Sequence, residues 1–283
     1  MNFFQLLFLG YKNYIKGTAF LFKHKLQWFF IFPIVLYVCI YWLGTYFKSL
    51  GLETIKDLSE VSSRIDSVNE LIWTILEVMS FDALHIIFTQ FTLYIVVVLL
   101  SPVLAMLSEK IEEIITGKSY DYTFKMLVND IKRGAIIAFR NLIWFYVFVG
   151  IFLGLLSLLD LPIKSFIIFA IPFIVGFYYY GFTFIDYVNE RRRLNIQQSI
   201  FFVSKHKGLA ISIGSIYSIF FLLYFYVDKN IDSISASYGM YFGWYILSKS
   251  LLVIAALTPV LAITSATLSM NELLKKEKQL KNK

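Results

Sequence analysis

The sequence predicts an all-α, polytopic membrane protein with two long transmembrane helices and two helical hairpins. Apolar residues make up 58% of the 283 residues and charged residues only 16%, against about 25% charged in an average soluble domain. Several charge-free runs are about 20 residues long, which is enough for a helix to cross a bilayer. Lysine and arginine concentrate in alternate segments between these runs, as they do in membrane proteins of fixed orientation.

The first 47 residues predict a surface helix followed by the first span. Residues 1–25 mix aromatic and aliphatic clusters with polar residues such as Lys12 and Asn13, so we expect an amphipathic helix in the membrane interface. We do not expect a secretory signal, because no basic segment precedes its apolar part and no small-residue cleavage site follows. Residues 26–47 carry no charge and form the first span. Residues 48–82 follow as an extracytoplasmic acidic segment.

The second span and its cytoplasmic extension cover residues 83–117. From Ala83 through Ser108 the run has no Lys, Arg, Asp or Glu, and it continues in polar form to Gly117, a residue that commonly ends helices. We expect Pro102 to bend this helix near the preceding turn. A helix from about residue 63 to Gly117 would be roughly 80 Å long, so part of it would protrude from the bilayer.

Two apolar pairs follow, at residues 141–185 and 208–270. The runs 141–159 and 165–185 are separated by five residues, a connection that predicts an antiparallel hairpin. The second hairpin joins residues 208–227 to residues 250–270, and a lysine-rich tail covers residues 271–283. Each hairpin either crosses the bilayer or enters and leaves it from one side. The charge distribution does not distinguish these arrangements, because both place the same segments in the same compartment.

The distribution of basic residues predicts that both termini are cytoplasmic. With six crossings, 20 of the 26 Lys and Arg fall on the side of the termini and 6 on the other side, and positive residues favour the cytoplasm. The formal charge of +7 therefore reflects membrane topology, and we expect no nucleic-acid partner.

No set of residues predicts catalysis. The three histidines and the single cysteine are far apart in the sequence, which gives no metal-ligand spacing, and no Ser, His and acid set can be placed together. We therefore expect no enzyme activity, no catalytic residue, no metal and no cofactor.

Three stretches carry a resemblance to a known family. Ser101-Pro102 leads through a glutamate-rich turn to Thr116-Gly117, Asp186-Tyr187 precedes three arginines, and Thr258-Pro259 lies in the last apolar run. The chain resembles the sulfate-permease CysZ family and its superfamily, which includes the etoposide-induced membrane proteins. The resemblance implies a permease or channel for a small inorganic anion, sulfate in the family, in a bacterial inner membrane. It also implies contact with membrane lipid and a homo-oligomeric assembly.

The family's sulfate-binding motif is a Gly-Leu-Arg or Gly-Ile-Arg tripeptide shortly before a proline. Counting back from Pro33, the matching positions are Lys25, Leu26 and Gln27. Lysine thus replaces the motif's glycine and glutamine its arginine, while Lys23, His24 and Lys25 restore positive charge nearby. The candidate anion-binding residues are Lys23, His24, Lys25, Leu26 and Gln27. These replacements weaken the prediction that sulfate is the substrate, and they leave the fold prediction unchanged.

Further candidates for the pore or for family motifs lie where spans meet the cytoplasm. They are Glu109, Arg140, Asp186, Arg191, Arg192, Lys205 and Lys207. Glu109 and Asp186 either form ion pairs with Arg140 or Arg191 or relay protons. The two Lys-His-Lys triplets, at residues 23–25 and 205–207, either collect anions or hold helix ends at the headgroups, and residues 191–193 could contact anionic lipid.

A second function class remains open. Ile65, Val68, Ile72, Ile75 and Met79 repeat at spacings of three and four, which predicts one apolar stripe on a water-exposed helix. Such a stripe is typical of a partner-binding surface. The alternative to transport is therefore a membrane scaffold or assembly protein that binds partners through residues 65–79.

Overall fold

The computed structural model describes residues 1–61, 96, 98–117, 124–159, 162–234 and 237–281. Eight α-helices and one short 3-10 helix, Gln27–Phe30, account for nearly all of these residues. The α-helices are α1 (Phe3–Lys23), α2 (Ile31–Val61), α3 (Ser101–Thr116), α4 (Phe124–Ser157), α5 (Lys164–Arg191), α6 (Ile196–Lys205), α7 (Lys207–Ile234) and α8 (Tyr238–Lys281).

The chain is an all-helical polytopic membrane protein, as the sequence predicts. Five described helical segments are long and apolar enough to cross a bilayer: Gln27–Phe47, Lys132–Ser157, Lys164–Arg191, Lys207–Ile234 and Tyr238–Lys276. They coincide with five of the six predicted apolar runs. The remaining run, residues 83–117, lies partly outside the described residues, so the count differs from the six crossings used for the charge distribution.

Several helices extend beyond the apolar runs that predicted them. α4 begins at Phe124, within the mixed-charge segment before residue 141, and α8 continues through most of the lysine-rich tail. α6 lies entirely within the polar segment between the two hairpins. The apolar runs mark only the parts suited to lipid, whereas helical hydrogen bonding continues into the polar residues on either side.

The helix that carries Glu109, Glu112 and Glu113 starts and stops at special residues. Leu100 forms a turn, and Pro102 is the second residue of α3, where its missing N–H needs no intrahelical partner. Gly117 ends the helix in the left-handed conformation, with a φ of 72°, and donates to the Glu113 carbonyl at 2.8 Å. The predicted helix end at Gly117 is confirmed, and the helical pattern is interrupted at Leu100, just before Pro102, where the sequence predicts a bend.

Contacts divide the chain into two compact units. One comprises Met1–Pro33 with Val98–Lys283, and the other comprises Ile34–Val97. Within the second unit, Trp42 stacks on Tyr46 with ring centroids 5.6 Å apart. The hydroxyls of Thr45 and Ser49 bond to carbonyls of the preceding turn at 2.8 Å, so these polar groups of α2 are satisfied within the helix itself.

The first unit buries many polar side chains and exposes many large apolar ones. α8 fully buries several hydroxyl side chains, including Thr264, Ser265 and Thr267, while Phe4 and Ile15 of α1 are 75% and 78% exposed. In water this distribution would be unfavourable, but in lipid small polar residues mediate close helix contacts and apolar side chains face the acyl chains. The burial pattern therefore agrees with the membrane setting.

Two glycines bring α5 and α7 into backbone contact. A Cβ atom at Gly181 would lie 1.8 Å from the Ala210 carbonyl oxygen, and one at Gly214 would lie 2.0 Å from that of Phe177. Ser218 of α7 donates to the Phe173 carbonyl at 3.1 Å. The contacts run in opposite directions along the two helices, so α5 and α7 are antiparallel and packed as closely as helices can be.

α1 packs against both α7 and α8. From Phe3 to Tyr11 its contacts on α7 advance from Gly208 to Ser215. On α8 the Gly10 carbonyl accepts from Ser265 at 2.9 Å. α1 thus lies against one end of the hairpin formed by α7 and α8, and its buried glycines permit that close approach.

Candidate functional site

Arg133 and Asp186 form a buried ion pair where α4 and α5 meet. The guanidinium donates from Nη2 to Oδ1 at 2.8 Å and from Nε to Oδ2 at 3.1 Å. Its Nη1 donates to the Leu194 carbonyl at 2.6 Å, and Glu190 lies 3.8 Å from Nε. The side chains of Arg133 and Asp186 are 14% and 2% exposed. The carboxylate is thus held by both arms of one guanidinium, the strongest geometry available to such a pair.

A second ion pair connects α3 to α5. Arg191 Nη1 lies 3.1 Å from the Glu112 carboxylate, and both side chains are at most 10% exposed. Arg191 also donates to the Ser108 hydroxyl, which is itself hydrogen-bonded to Thr267 of α8. These contacts join three helices through polar groups at the end of the bundle.

The two pairs are suited to fixing helix packing. Removing a charge from water costs several kcal/mol, and a close partner with additional hydrogen bonds offsets that cost. Each arginine here faces a carboxylate, so its charge is neutralised locally. Neither guanidinium is presented to a mobile anion in this arrangement.

The partner of Asp186 differs from the two that the sequence offered. Asp186 pairs with Arg133 instead of Arg140 or Arg191, and Arg191 pairs with Glu112. Arg133 and Arg140 are seven residues apart, two helical turns, and therefore lie on similar faces of α4. Helical spacing alone could not choose between them, and Arg133 and Glu112 are the ion-pair residues that the sequence did not single out.

The other candidates of this group, Arg140, Arg192 and Glu109, lie on the same three helices as the ion pairs or at their ends. Arg140 Nη1 donates to Asn141 Oδ1 at 3.2 Å, and its guanidinium lies over the Phe182 ring at 5.4 Å from the centroid. Arg192 caps the C-terminus of α5, where its backbone N–H donates to the Asn189 carbonyl at 3.0 Å. Glu109 is partly buried on α3.

An open groove of about 560 Å³ borders the Arg133 side chain. The exposed Lys132 contributes to its wall together with Glu190 and the start of α6 at Asn195. The groove therefore combines cationic, amide and carboxylate groups and has no single charge preference.

The first Lys-His-Lys triplet forms the C-terminus of α1. The backbone N–H groups of His24, Lys25 and Leu26 donate to the carbonyls of Phe20, Phe22 and Leu21 at 3.0, 3.3 and 2.9 Å. Lys25 has a φ of 58°, so the chain leaves the helix through a left-handed residue, as in a Schellman cap.

Left-handed backbone favours glycine because a Cβ atom crowds the following carbonyl. Lys25 occupies this conformation at the position that matched the glycine of the family motif. Its N–H and that of Leu26 are used to cap α1 and are not offered to an anion. Leu26 is buried, whereas Lys23, Lys25 and Gln27 are exposed. What this junction offers to an anion is therefore the charge of its two lysine side chains.

The second triplet repeats the arrangement of the first. His206 caps α6, and its ring stacks on Phe202 with centroids 4.3 Å apart, the same separation as between His24 and Phe20. Both α1 and α6 also begin with a capping box, headed by Asn2 and Asn195. A lysine in the last turn of each helix complements the helix dipole.

The structure does not bring the two triplets together. A Cβ atom on Gly208, next to Lys207, would lie 2.3 Å from the carbonyl oxygen of Phe3, at the start of α1. The first triplet follows the other end of α1, which is about 30 Å long. Two separate cationic sites therefore flank α1. The apolar stripe at residues 65–79 lies outside the described residues.

One comparison with known proteins gives a match. A protein-family model described as sulfate transporter CysZ/etoposide-induced protein 2.4 matches residues 13–227. The matched region contains the first triplet, both ion pairs and the second triplet. No curated protein matches the chain.

Proposed function

The chain belongs to the sulfate transporter CysZ/etoposide-induced protein 2.4 family, and we propose that it passes a small inorganic anion, sulfate by family, across the membrane. The family match over three quarters of the chain carries this proposal. The five apolar helical segments supply the membrane-spanning framework that such a function needs.

The first triplet is the proposed entry site for the anion. Lys23 and Lys25 are exposed and lie at the position of the family's sulfate-binding motif. The buried arginines are poorer candidates, because Arg133 and Arg191 already face carboxylates. With glutamine in place of the motif's arginine, the site attracts an anion by the charge of its lysines and lacks bidentate recognition. Discrimination among oxyanions is therefore expected to be weak.

The membrane potential limits the mechanism. A dianion that enters an inside-negative cell climbs about 4.6 kcal/mol at 100 mV, from about 2.3 kcal/mol for each charge. An uncoupled path would need a large inward gradient or rapid consumption of the anion inside. Coupling to protons through Glu109 or Asp186 is the alternative. Uptake that does not respond to an imposed pH gradient would exclude such coupling.

The proposal includes the orientation of the protein in the membrane and its oligomeric state. Both termini are placed in the cytoplasm of a cell whose inner membrane holds the protein, on the strength of the basic residues on that side. A homo-oligomer in contact with lipid is proposed from family membership.

Radiolabelled sulfate uptake into proteoliposomes of the purified protein tests the function. We expect uptake above protein-free vesicles and a several-fold loss in the double variant Lys23→Ala, Lys25→Ala. The matched control is Lys12→Ala, Lys16→Ala, which removes the same charge from the same helix and should retain uptake. Failure to take up sulfate or any other oxyanion would overturn the proposal and favour the scaffold function.

A further inference from the structure

The segment from Arg191 to Lys207 is basic at both ends and contains the short helix α6. It has five lysines and arginines and no aspartate or glutamate. α6 buries Ser199 and Val203 on its inner face and leaves Phe201 71% exposed on its outer face. The helix is therefore amphipathic, with a large aromatic ring directed away from the protein.

A groove of about 490 Å³ runs along the outer side of α6. Its lining divides into an apolar part and a polar part. The apolar residues are Leu194, Phe201 and Phe202, and the polar residues are Gln197, Gln198, Lys205 and His206. A cation at one end and two phenyl rings beside it match the two chemical parts of a phospholipid.

We propose that this groove binds one anionic phospholipid, with its phosphate at Lys205 and Lys207 and an acyl chain along Phe201 and Phe202. Both lysines are exposed, and a polybasic segment at a membrane surface attracts anionic lipid. An inorganic anion would use the lysines but would leave the rings of Phe201 and Phe202 in water. The apolar half of the groove therefore favours a lipid over a free oxyanion.

The two ends of α6 also support binding of a phospholipid along this helix. Arg193, two residues before the capping Asn195, is exposed, and the ten-residue helix separates it from Lys205 by about 15 Å. Arg191 is not part of this surface, because it pairs with Glu112. Exposed cations at both ends with a phenyl ring between them are typical of a helix lying in the headgroup layer.

Native mass spectrometry of the full-length protein, purified from mixed micelles with equal phosphatidylglycerol and phosphatidylcholine, tests this site. We expect bound phosphatidylglycerol in excess, and loss of the excess in the double variant Lys205→Ala, Lys207→Ala. Each lysine near an anionic surface is worth about a fivefold change in binding, so the pair should reduce phosphatidylglycerol binding roughly 25-fold. Phe201→Ser should weaken the binding separately.

Three controls distinguish this site from general charge attraction. Lys205→Arg, Lys207→Arg keeps the charge and should retain the lipid, and Lys229→Ala, Lys249→Ala removes equal charge elsewhere and should also retain it. Sulfate or phosphate at millimolar concentration should not displace the lipid. Equal binding of the two lipids, equal loss in the Lys229 and Lys249 variant, or displacement by inorganic phosphate would overturn the proposal. The readout is lipid binding, so it does not depend on whether the protein transports sulfate.

Discussion

Arg133 and Asp186, 53 residues apart in the chain, face each other across α4 and α5 with two hydrogen bonds of 2.8 and 3.1 Å. Both side chains are largely withdrawn from solvent. A charge in this position is tolerated only with its partner, because the desolvation cost is otherwise uncompensated. The pair therefore fixes the relative position of two membrane helices where they leave the apolar region.

Removing one partner of this pair should destabilise the protein strongly. Arg133→Met alone is expected to cost about 3–5 kcal/mol, because Asp186 is left as an unpaired buried charge. The double variant Arg133→Met, Asp186→Leu should cost less than either single change, as measured by thermal unfolding in detergent. Lys110→Ala, which removes an exposed pair with Glu113, should have an effect below about 1 kcal/mol. Additive losses in the double variant would contradict a coupled pair.

Lys25→Gly should stabilise the protein. The left-handed conformation of Lys25 costs a non-glycine residue about 1–2 kcal/mol, which glycine avoids, and the larger unfolded-state entropy of glycine offsets part of the gain. A net increase of up to about 1 kcal/mol in the free energy of unfolding is expected. Lys23→Gly, at the last residue of α1, should instead lower stability, by at most about 0.5–1 kcal/mol. If both substitutions lowered the melting temperature equally, the left-handed cap would be wrong.

Gly181→Ala and Gly214→Ala should each push α5 and α7 apart. The added methyl group would meet backbone atoms at 1.8 and 2.0 Å, and backbone cannot move aside as a side chain can. Overpacking of this kind typically costs about 1–3 kcal/mol, measurable as a lower melting temperature. The control is Gly150→Ala, where no atom lies within 4 Å and alanine should be neutral or slightly stabilising. Equal tolerance at all three glycines would argue against the close crossing.

Glu272 joins the end of α8 to α1, and its removal should have only a small effect. The carboxylate lies 3.1 Å from Lys16 and 3.6 Å from Lys12 at the surface, and exposed pairs contribute at most about 1 kcal/mol. The hydrogen bond to Glu272 raises the pKa of Lys16 above its usual range. The pair's contribution is therefore complete at neutral pH and is lost on the alkaline side as the pH rises through that higher pKa. Stability that falls in Glu272→Gln at pH 7 and matches the parent protein at strongly alkaline pH would agree with this.

Labelling of single cysteines tests the orientation. Cys39 is exposed, so Cys39→Ser supplies the background for Lys205→Cys and Lys164→Cys. The basic segments predict that position 205 faces the cytoplasm and that position 164, in the short connection of the first hairpin, faces the other side if that hairpin crosses. A membrane-impermeant thiol reagent applied to intact cells should then label position 164 only. Labelling of neither position would indicate that the first hairpin enters and leaves from the cytoplasmic side.

Part of the candidate site could be predicted from the sequence. It identified Asp186 and Arg191 as charged residues at a span's end, and the structure places both in buried ion pairs. It could not identify their partners, because Glu112 and Arg133 lie on other helices and nothing in the local pattern separates Arg133 from Arg140. The repeated Lys-His-Lys triplets were visible as motifs, but their separation by the length of α1 was not.

The sequence by itself determined that this is a membrane protein and which of its segments are suited to lipid. Apolar runs, the glycine that ends α3 and the segregation of basic residues are local features of the sequence. They follow from hydropathy, backbone freedom and charge, and they can be recognised without knowing how the helices pack. The tertiary structure decided which cation meets which carboxylate, that Lys25 adopts a left-handed backbone, and that α1 packs against the hairpin of α7 and α8. These features depend on contacts between residues far apart in the chain, and such contacts are set by how whole helices pack against one another.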